Sequence, residues 1–111
     1  MYINSTGKEG ATFDRVISSD VDKFRADSPK FKVRRSTPLK TKDGKKAVIE
    51  EMETGRPQQP FETSAYIEVQ KSVSMMVLSS KTMKDLERTR PVFKKMVQSY
   101  SFFTDKVNIS P

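Results

Sequence analysis

Apolar residues recur at helical spacing in two stretches of the chain, one near each end. In the first stretch, TFDRVISSDVDKFRADSP, spacings of three, one, four and three residues separate Phe13, Val16, Ile17, Val21 and Phe24. Such spacing places the side chains on one face of a helix. The Thr12 hydroxyl can cap the helix start, and Ser28-Pro29 can end it. We therefore predict a first helix at about 12–27.

The second stretch, TMKDLERTRPVFKKMVQSYSFF, keeps roughly helical spacing through Met83, Leu86, Val92, Phe93, Met96, Val97 and Tyr100. Thr82 and Asp85 resemble a capping box, with Asp in place of the usual Glu. Pro91 would remove one backbone hydrogen bond and clash with the preceding turn. We therefore expect either a kink or a break there, with Pro91 at the first position of a second short helix.

Between the two helices the apolar pattern changes to that of β-strands. Phe31 and Val33 alternate with basic residues, which is the period of a half-buried strand. Asp43-Gly44 predicts a two-residue type I′ hairpin turn, with a return strand at about 45–54. After the loop GRPQQP, the segment FETSAYIEVQ is rich in β-branched and aromatic residues. A fourth strand, SVSMMVLSS, carries an apolar run typical of a central strand covered on both faces.

This order of elements predicts the fold class. Two amphipathic helices bury their apolar faces by covering a sheet. We therefore expect a single α+β domain over residues 1–111, an antiparallel sheet of four to five strands flanked by an N-terminal and a C-terminal helix. Residues 1–10 and 104–111 are expected to be loosely ordered, with at most an edge strand at Tyr2–Ile3. The sequence indicates neither a membrane span nor a signal peptide.

Several segments resemble a known family. GKKAVIEEME, followed by a Pro-containing loop and by AYIEVQKSVSMMVLSSKTMKDLERTRPVFKKMVQSYSFF, is similar to the C-terminal half of PsbP-like domains. The similarity is nearest to the bacterial DcrB-related small exported proteins, which end in a strand, a short helix, a Pro-Xaa-Phe step and a last helix closing on Ser-Tyr/Phe-Xaa-Phe. Here the step is Pro91-Val92-Phe93 and the close is Ser99-Tyr100-Ser101-Phe102. The resemblance covers roughly residues 12–103.

The resemblance implies an α/β/α sandwich and a non-catalytic accessory domain that binds another protein. It also implies a periplasmic or envelope-associated location in bacteria, reached through a signal or lipid anchor upstream of this sequence. The family opens with an additional β-hairpin, for which only residues 1–10 are available here. A missing hairpin would leave a sheet edge exposed, and an exposed edge favours a homodimer or strand pairing with another chain.

The charge of the chain is concentrated in residues 30–46, KFKVRRSTPLKTKDGKK. This segment holds eight of the 21 basic residues and one of the 14 acidic residues, so its net charge equals the +7 of the whole chain. With a two-residue turn, the basic residues share one side of the hairpin, Arg34 faces Glu53, and Ser36 faces Glu51. These carboxylates would neutralise the half far from the turn. The candidate partner surface is therefore Arg34, Lys40, Lys42, Lys45 and Lys46.

The partner of this surface is predicted to be another protein. The alternative is a basic nucleic-acid-binding module using the 30–46 hairpin, which the net charge alone supports only as salt-sensitive, non-specific binding. Nucleic acid is disfavoured because single-strand binding uses aromatic side chains on the charged face. Phe31, the aromatic residue of the segment, is predicted on the opposite face.

The chain contains no Cys and no His, which excludes thiolate nucleophiles, Cys/His zinc sites and imidazole catalysis. We predict no catalytic, cofactor-binding or metal-binding residues, and no enzymatic activity. Three alternatives are a carboxylate pair Glu50–Glu68, a soft metal surface at Met75-Met76, and a nucleophile among Ser99, Tyr100 and Ser101. Each has a simpler explanation, which is pairing of the carboxylates with lysine, burial of the methionines in a strand, and the lack of a base near the hydroxyls.

Overall fold

The computed structural model describes residues 2–27 and 30–100. Its elements, in chain order, are β1 (Tyr2–Gly7), α1 (Phe13–Asp27), β2 (Lys32–Arg35), β3 (Leu39–Lys40), β4 (Lys46–Glu53), β5 (Phe61–Val69), β6 (Ser72–Ser80) and α2 (Met83–Ser99). The strands form one antiparallel sheet with the order β1-β6-β5-β4-β2, and β3 pairs with β4 beside β2. The two edges of the described sheet are therefore β1 and the interrupted strand β2–β3.

Side chains of the central strands alternate between two apolar layers. The layer beneath α2 contains Ala47, Ile49, Ala65, Ile67, Val69, Met76, Phe93 and Val97. The layer beneath α1 contains Phe13, Ile17, Val21, Val48, Tyr66 and Val73. Each helix thus covers one face, because neighbouring residues of a strand point to opposite faces of a sheet. The predicted α+β class is confirmed, with a sheet of six strands, or five if β2 and β3 count as one.

The two helices begin where the sequence predicts. The Thr12 hydroxyl accepts a hydrogen bond from the Arg15 amide at 3.2 Å, and the Thr82 hydroxyl accepts one from the Asp85 amide at 3.0 Å. Each bond satisfies an amide that has no partner within its helix. α1 ends at Asp27, and the predicted stop signal Ser28-Pro29 lies outside the described residues.

Of the two outcomes predicted at Pro91, a kink or a break, the break is wrong, because α2 runs unbroken past this residue. Proline has no amide hydrogen to donate one turn back, so the helix loses one backbone hydrogen bond there. Buried apolar residues lie on both sides of the proline, with Leu86 before it and Phe93 and Val97 after it. Their packing on the sheet keeps both halves in one helix, since tertiary packing supplies most of the stability of helices in proteins.

The hairpin turn differs from the predicted two-residue type I′ turn. The Gly44 amide donates to the Thr41 carbonyl at 3.0 Å, and the Thr41 amide donates to the Lys45 carbonyl at 2.9 Å. These bonds enclose a three-residue loop, Lys42–Gly44, whose glycine has a φ of 82°. A positive φ at that position is typical of three-residue hairpin loops. The Thr41 hydroxyl fixes the loop, because it donates to Asp43 Oδ1 at 2.5 Å and accepts from the Lys45 amide at 3.0 Å.

One additional residue between β2 and β3 changes the register of the basic edge. Arg35 lies opposite Glu50, whereas Leu39 lies opposite Ala47, so four steps along this edge match three steps along β4. The additional residue falls within Ser36–Pro38, where proline supplies no amide to the ladder. A shift of one residue exchanges the faces to which side chains point. Even-numbered residues before the bulge therefore point to the opposite side from even-numbered residues after it.

The bulge divides the basic residues of the hairpin between the two faces. Arg34 lies opposite Glu51 and not, as predicted, opposite Glu53, and it points to the face of α2. Lys40 lies opposite Lys46, and the Lys46 ammonium is 5.7 Å from the ring centre of Phe13 in α1. The single basic face predicted for the hairpin is therefore wrong.

The beginning of the chain is more regular than predicted. β1 extends from Tyr2 to Gly7 and pairs with β6 over its whole length, so the expected loose segment 1–10 contains a six-residue edge strand. The expected loose segment 104–111 lies outside the described residues. Neither helix in residues 2–27 and 30–100 has the length and apolar character needed to cross a membrane.

Candidate functional site

A groove runs along the side of α2 that faces the β2–β4 edge, because α2 packs mainly on β5 and β6. The groove contains two adjoining cavities of about 340 Å³ and about 430 Å³. Both volumes fall in the range of pockets that hold small ligands, about 300–1,000 Å³. Arg34, Glu51 and Arg90 line both cavities and form the boundary between them.

The first cavity, beside the start of α2, is balanced in charge. Its apolar lining includes Met52, Phe61, Met83 and Leu86. Its charged lining consists of Lys32, Arg34 and Arg90 together with Glu51, Glu53 and Glu87. Equal numbers of basic and acidic side chains give this cavity no preference for a ligand of either sign.

The second cavity, beside the bulge, is cationic. Its apolar lining is Leu39, Ile49 and Phe93. Its charged lining is Arg34, Arg35, Arg90 and Lys94 with Glu51 as the acidic member. An apolar floor beneath a basic rim suits a ligand that carries both apolar groups and carboxylates, since each part meets its complement.

An ion-pair network separates the two cavities and ties α2 to the sheet. Glu51 accepts hydrogen bonds from Arg90 Nε at 2.5 Å, from Arg90 Nη2 at 2.9 Å and from Arg34 Nη2 at 2.7 Å. The two bonds from Arg90 form the fork geometry that arginine makes with a carboxylate. Burial alone would raise the pKa of Glu51, but the hydrogen bonds and charges of Arg90 and Arg34 outweigh it and hold that pKa below its ordinary value. Glu51 therefore stays ionised at neutral pH.

The structure separates the five residues of the predicted partner surface. Arg34 belongs to the groove, whereas the four lysines lie at the hairpin tip. Lys40 and Lys42 are exposed, the Lys45 ammonium is 3.9 Å from Asp43 Oδ2, and Lys46 lies against the ring of Phe13. Lys40 and Lys46 point to the other face of the sheet from the groove. The tip is thus a small, partly neutralised basic patch apart from the groove.

Sequence reasoning missed two basic residues of the groove, Arg90 and Lys94. Both line the second cavity, and they are four residues apart, so they project from the same side of α2. That spacing was visible in the sequence. The sequence did not show that this side of the helix faces Glu51, because only the packing of α2 on the sheet decides it.

A polar cluster, also unpredicted, lies on the sheet face beneath α1. Tyr66 Oη donates to Asp20 Oδ2 at 2.5 Å, and Arg35 Nε donates to Glu50 Oε1 at 2.7 Å. Burial and the hydrogen bond to Asp20 raise the pKa of Tyr66, so its phenol stays protonated as a donor. Glu62, on the same face of β5, is 6% exposed. The bond between Tyr66 and Asp20 joins α1 to the sheet, and the bond between Arg35 and Glu50 joins β2 to β4. Arg35 also lines the second cavity, whereas Tyr66, Asp20, Glu50 and Glu62 do not line the groove.

The chemical alternatives raised by the sequence find no support in the geometry. Glu50 lies opposite Ser64, and Glu68 lies four residues further along β5, so the two carboxylates are separated by about 13 Å of strand. Met75 and Met76 are adjacent in β6 and point to opposite faces. The hydroxyls of Ser99 and Tyr100 donate to the Met96 carbonyl at 2.9 Å and to Ser74 Oγ at 3.3 Å, and Ser101 lies outside the described residues.

Glu62 predicts an unusual dependence of stability on pH. Burial, and to a smaller extent Asp20, raises the pKa of Glu62 above its ordinary 4.5, although Arg56 opposes the shift. The folded state therefore binds this proton more tightly than the unfolded state, and stability falls as the pH rises from about 4.5 through the raised pKa. Glu62→Gln should raise the melting temperature at pH 7 by about 4 °C, the effect of about 1 kcal/mol in a domain of this size.

The increase in melting temperature caused by Glu62→Gln should vanish at about pH 4, where the wild-type carboxyl is already protonated. Thermal unfolding followed by circular dichroism between these two pH values measures both effects. Glu53→Gln is the matched control, because Glu53 lies at the exposed end of β4 and its replacement should leave the melting temperature unchanged. A gain that persists undiminished in acid would contradict this account of Glu62.

Comparisons with known proteins bear on the fold. No family model matches the sequence, and no curated protein matches it. Among solved structures, the chain is similar to PA94 of Pseudomonas aeruginosa, a protein of unknown function described as a candidate regulator. The TM-score is 0.71 at 18% identity, over 92% of this chain and 83% of PA94. The chain therefore shares the fold of PA94.

Proposed function

We propose that this chain is a non-catalytic accessory domain that binds a segment of another protein in the groove between α2 and the β2–β4 edge. The observation that carries the proposal is the second cavity, where Leu39, Ile49 and Phe93 form an apolar floor beneath a basic rim. Concave apolar surfaces with a few placed charges are typical of binding sites.

The family assignment is a further part of the proposal. One helix on each face of an antiparallel sheet agrees with the PsbP-like sandwich that the resemblance implies, and β1 then stands in place of the family's opening hairpin. We infer from this agreement that the chain is a PsbP-like domain, nearest to the DcrB-related proteins. A role in the bacterial cell envelope rests on the same resemblance.

The partner segment should be acidic on one side and apolar on the other. Arg34 is 69% exposed on its side chain and makes one hydrogen bond to Glu51, so it can bind a further carboxylate. Lys94 is exposed beside it on α2. A net charge of +7 also favours encounter with acidic partners. An amphipathic helix laid into a groove, with apolar anchors on one face, is the recognition mode that fits this shape.

Binding of a labelled peptide tests the groove. The probe is a helical peptide with Leu on one face and Glu on the other, and its binding to the protein is followed by fluorescence anisotropy at physiological salt. The double variant Arg34→Glu/Lys94→Glu should weaken binding roughly tenfold, since it places acidic groups opposite those of the peptide. The matched control, Lys40→Glu/Lys42→Glu, makes the same change of net charge at the hairpin tip and should weaken binding less than about twofold.

Two results would contradict the proposal. Equal losses of peptide affinity in the two double variants would show that binding depends only on the net charge of the protein. A second peptide carries Lys in place of Glu. If the wild type binds the acidic peptide no more tightly than this basic peptide, the groove does not bind an acidic segment. Circular dichroism confirms that both variants are folded.

The structure gives little support to the alternative of a nucleic-acid-binding hairpin. The bulge at Ser36–Pro38 distributes the basic side chains over both faces of the sheet, so no continuous basic stripe tracks a phosphate backbone. The second cavity does not favour bases over carboxylates, because its aromatic residue, Phe93, is 2% exposed and cannot stack on a base.

A further inference from the structure

The edge strand β1 is open on one side. Within the part of the chain that the structure describes, β1 pairs with β6 and has no neighbouring strand on its other side. The Ser5 amide donates to Asn4 Oδ1 at 2.8 Å, which indicates that this amide points away from β6. Because backbone groups alternate along a strand, those of Ile3, Ser5 and Gly7 are the ones that point outward.

β1 also lacks the features by which proteins protect sheet edges. Such features are charged side chains, proline and bulges. The exposed residues Ile3, Asn4, Ser5 and Thr6 carry no charge, and the register with β6 is unbroken over the strand. Ile3 is 60% exposed, which is high for a large apolar side chain in the middle of an edge.

The opposite edge carries all the protective features that β1 lacks. Lys32, Arg34, Arg35 and Lys40 lie along β2–β3, and the bulge at Ser36–Pro38 interrupts it. The sheet therefore has one protected edge and one unprotected edge. Strand addition, in which a second chain extends a sheet by backbone hydrogen bonds, is possible at β1 and hindered at β2–β3.

The charge distribution allows a second copy of this chain as the occupant of β1, because β1 is uncharged and the basic edges of the two copies would stay apart. Each copy carries +7 and repels another copy wherever basic surfaces approach. The strand order places β2 four strand spacings from β1, which is about 19 Å. In a pair joined at β1 the two basic edges lie about 40 Å apart, well beyond the screening length of about 8 Å at physiological salt.

We infer that β1 pairs antiparallel with β1 of a second copy, around a two-fold axis at Ser5, and so joins the two sheets into one. In this register Ser5 lies opposite its own counterpart and Ile3 lies opposite Gly7. All outward backbone groups then find partners, because outward residues pair with outward residues. Gly7 has no side chain, which leaves room for Ile3 across the strand pair.

The dimer should be weak and reversible. One short strand pair buries less than the roughly 1,000 Å² expected of a stable interface, so the dissociation constant should lie in the micromolar range or above. Analytical ultracentrifugation over a hundredfold range of protein concentration measures it. The wild type should change from monomer to dimer across this range.

Three variants locate the interface. Ile3→Lys places a charge on the edge, and Ser5→Pro removes an outward amide, so both variants should remain monomeric at every concentration. Val92→Lys is the matched control, because Val92 is an exposed apolar residue of α2, 58% exposed, away from β1. This control should dimerise like the wild type.

The proposal is overturned if the wild type stays monomeric at the highest concentration, or if both β1 variants dimerise as well as the control. Arg34→Glu/Lys94→Glu should dimerise normally, so failure of the groove proposal and failure of this one are distinguishable. Circular dichroism separates loss of pairing from loss of fold in each variant.

Discussion

Phe93→Ala should lower the free energy of unfolding by about 3–5 kcal/mol, the range for removing a buried aromatic side chain. Phe93 is 2% exposed and packs with Ile49 and Ile67 in the layer beneath α2. It lies two residues after Pro91, where the helix lacks a backbone hydrogen bond. The packing of this ring therefore stabilises the second half of α2. Urea unfolding followed by circular dichroism gives the change in free energy.

Val92→Ala is the matched control for Phe93→Ala. The neighbouring side chain is 58% exposed, so its truncation should change the free energy of unfolding by less than about 0.5 kcal/mol. Comparable effects of the two substitutions would mean that α2 is not held by its buried face. Phe93→Ala should also weaken binding of the acidic peptide, because Phe93 forms part of the floor of the second cavity.

Local patterns in the sequence were sufficient to predict where both helices begin and that strands lie between them. They did not predict the six-residue strand β1 or the continuation of α2 past Pro91. A helix start depends on a side chain within one turn, as Thr12 and Thr82 show. The stripe from Phe13 to Phe24 and the alternation of Phe31 and Val33 with basic residues are likewise properties of consecutive residues. Alternation also allowed the faces to be assigned within each strand, although not across the bulge.

The hairpin could not be predicted in detail, because its sequence is compatible with two turn types. Asp43-Gly44 fits both a two-residue loop and a three-residue loop that ends in glycine. The Thr41 hydroxyl decides between them by bonding to Asp43 and to the Lys45 amide. Proline at position 38 favours a bulge, but the face of each basic residue follows only when the turn and the bulge are both known.

The groove could not be predicted because it depends on contacts between distant parts of the chain. Glu51 and Arg90 are 39 residues apart, and their pairing requires that α2 cross the sheet at one particular position. The sequence marked Arg34 as a basic residue of interest but associated it with the wrong carboxylate. Of the five residues predicted as a partner surface, Arg34 alone lines a cavity of the groove.

An Arg35→Ala variant should be destabilised by about 3 kcal/mol at pH 7, the effect of leaving a buried charge without its partner. The Glu50 side chain is 3% exposed and is paired with Arg35 at 2.7 Å. Its second oxygen, Oε2, has no hydrogen-bond partner among the described residues. Without the guanidinium this buried carboxylate loses the ion pair that compensates its charge. Urea unfolding at pH 7 measures the loss.

Glu50→Gln, added to Arg35→Ala, should restore stability to within about 1 kcal/mol of the wild type, because the amide has no charge to bury. Arg34→Ala is the matched control. Its carboxylate partner Glu51 keeps Arg90, and Arg34 itself is exposed, so this change should destabilise by less than about 1 kcal/mol. If Arg35→Ala proved no more harmful than Arg34→Ala, or if Glu50→Gln failed to rescue it, the charge of Glu50 would not be what Arg35 compensates.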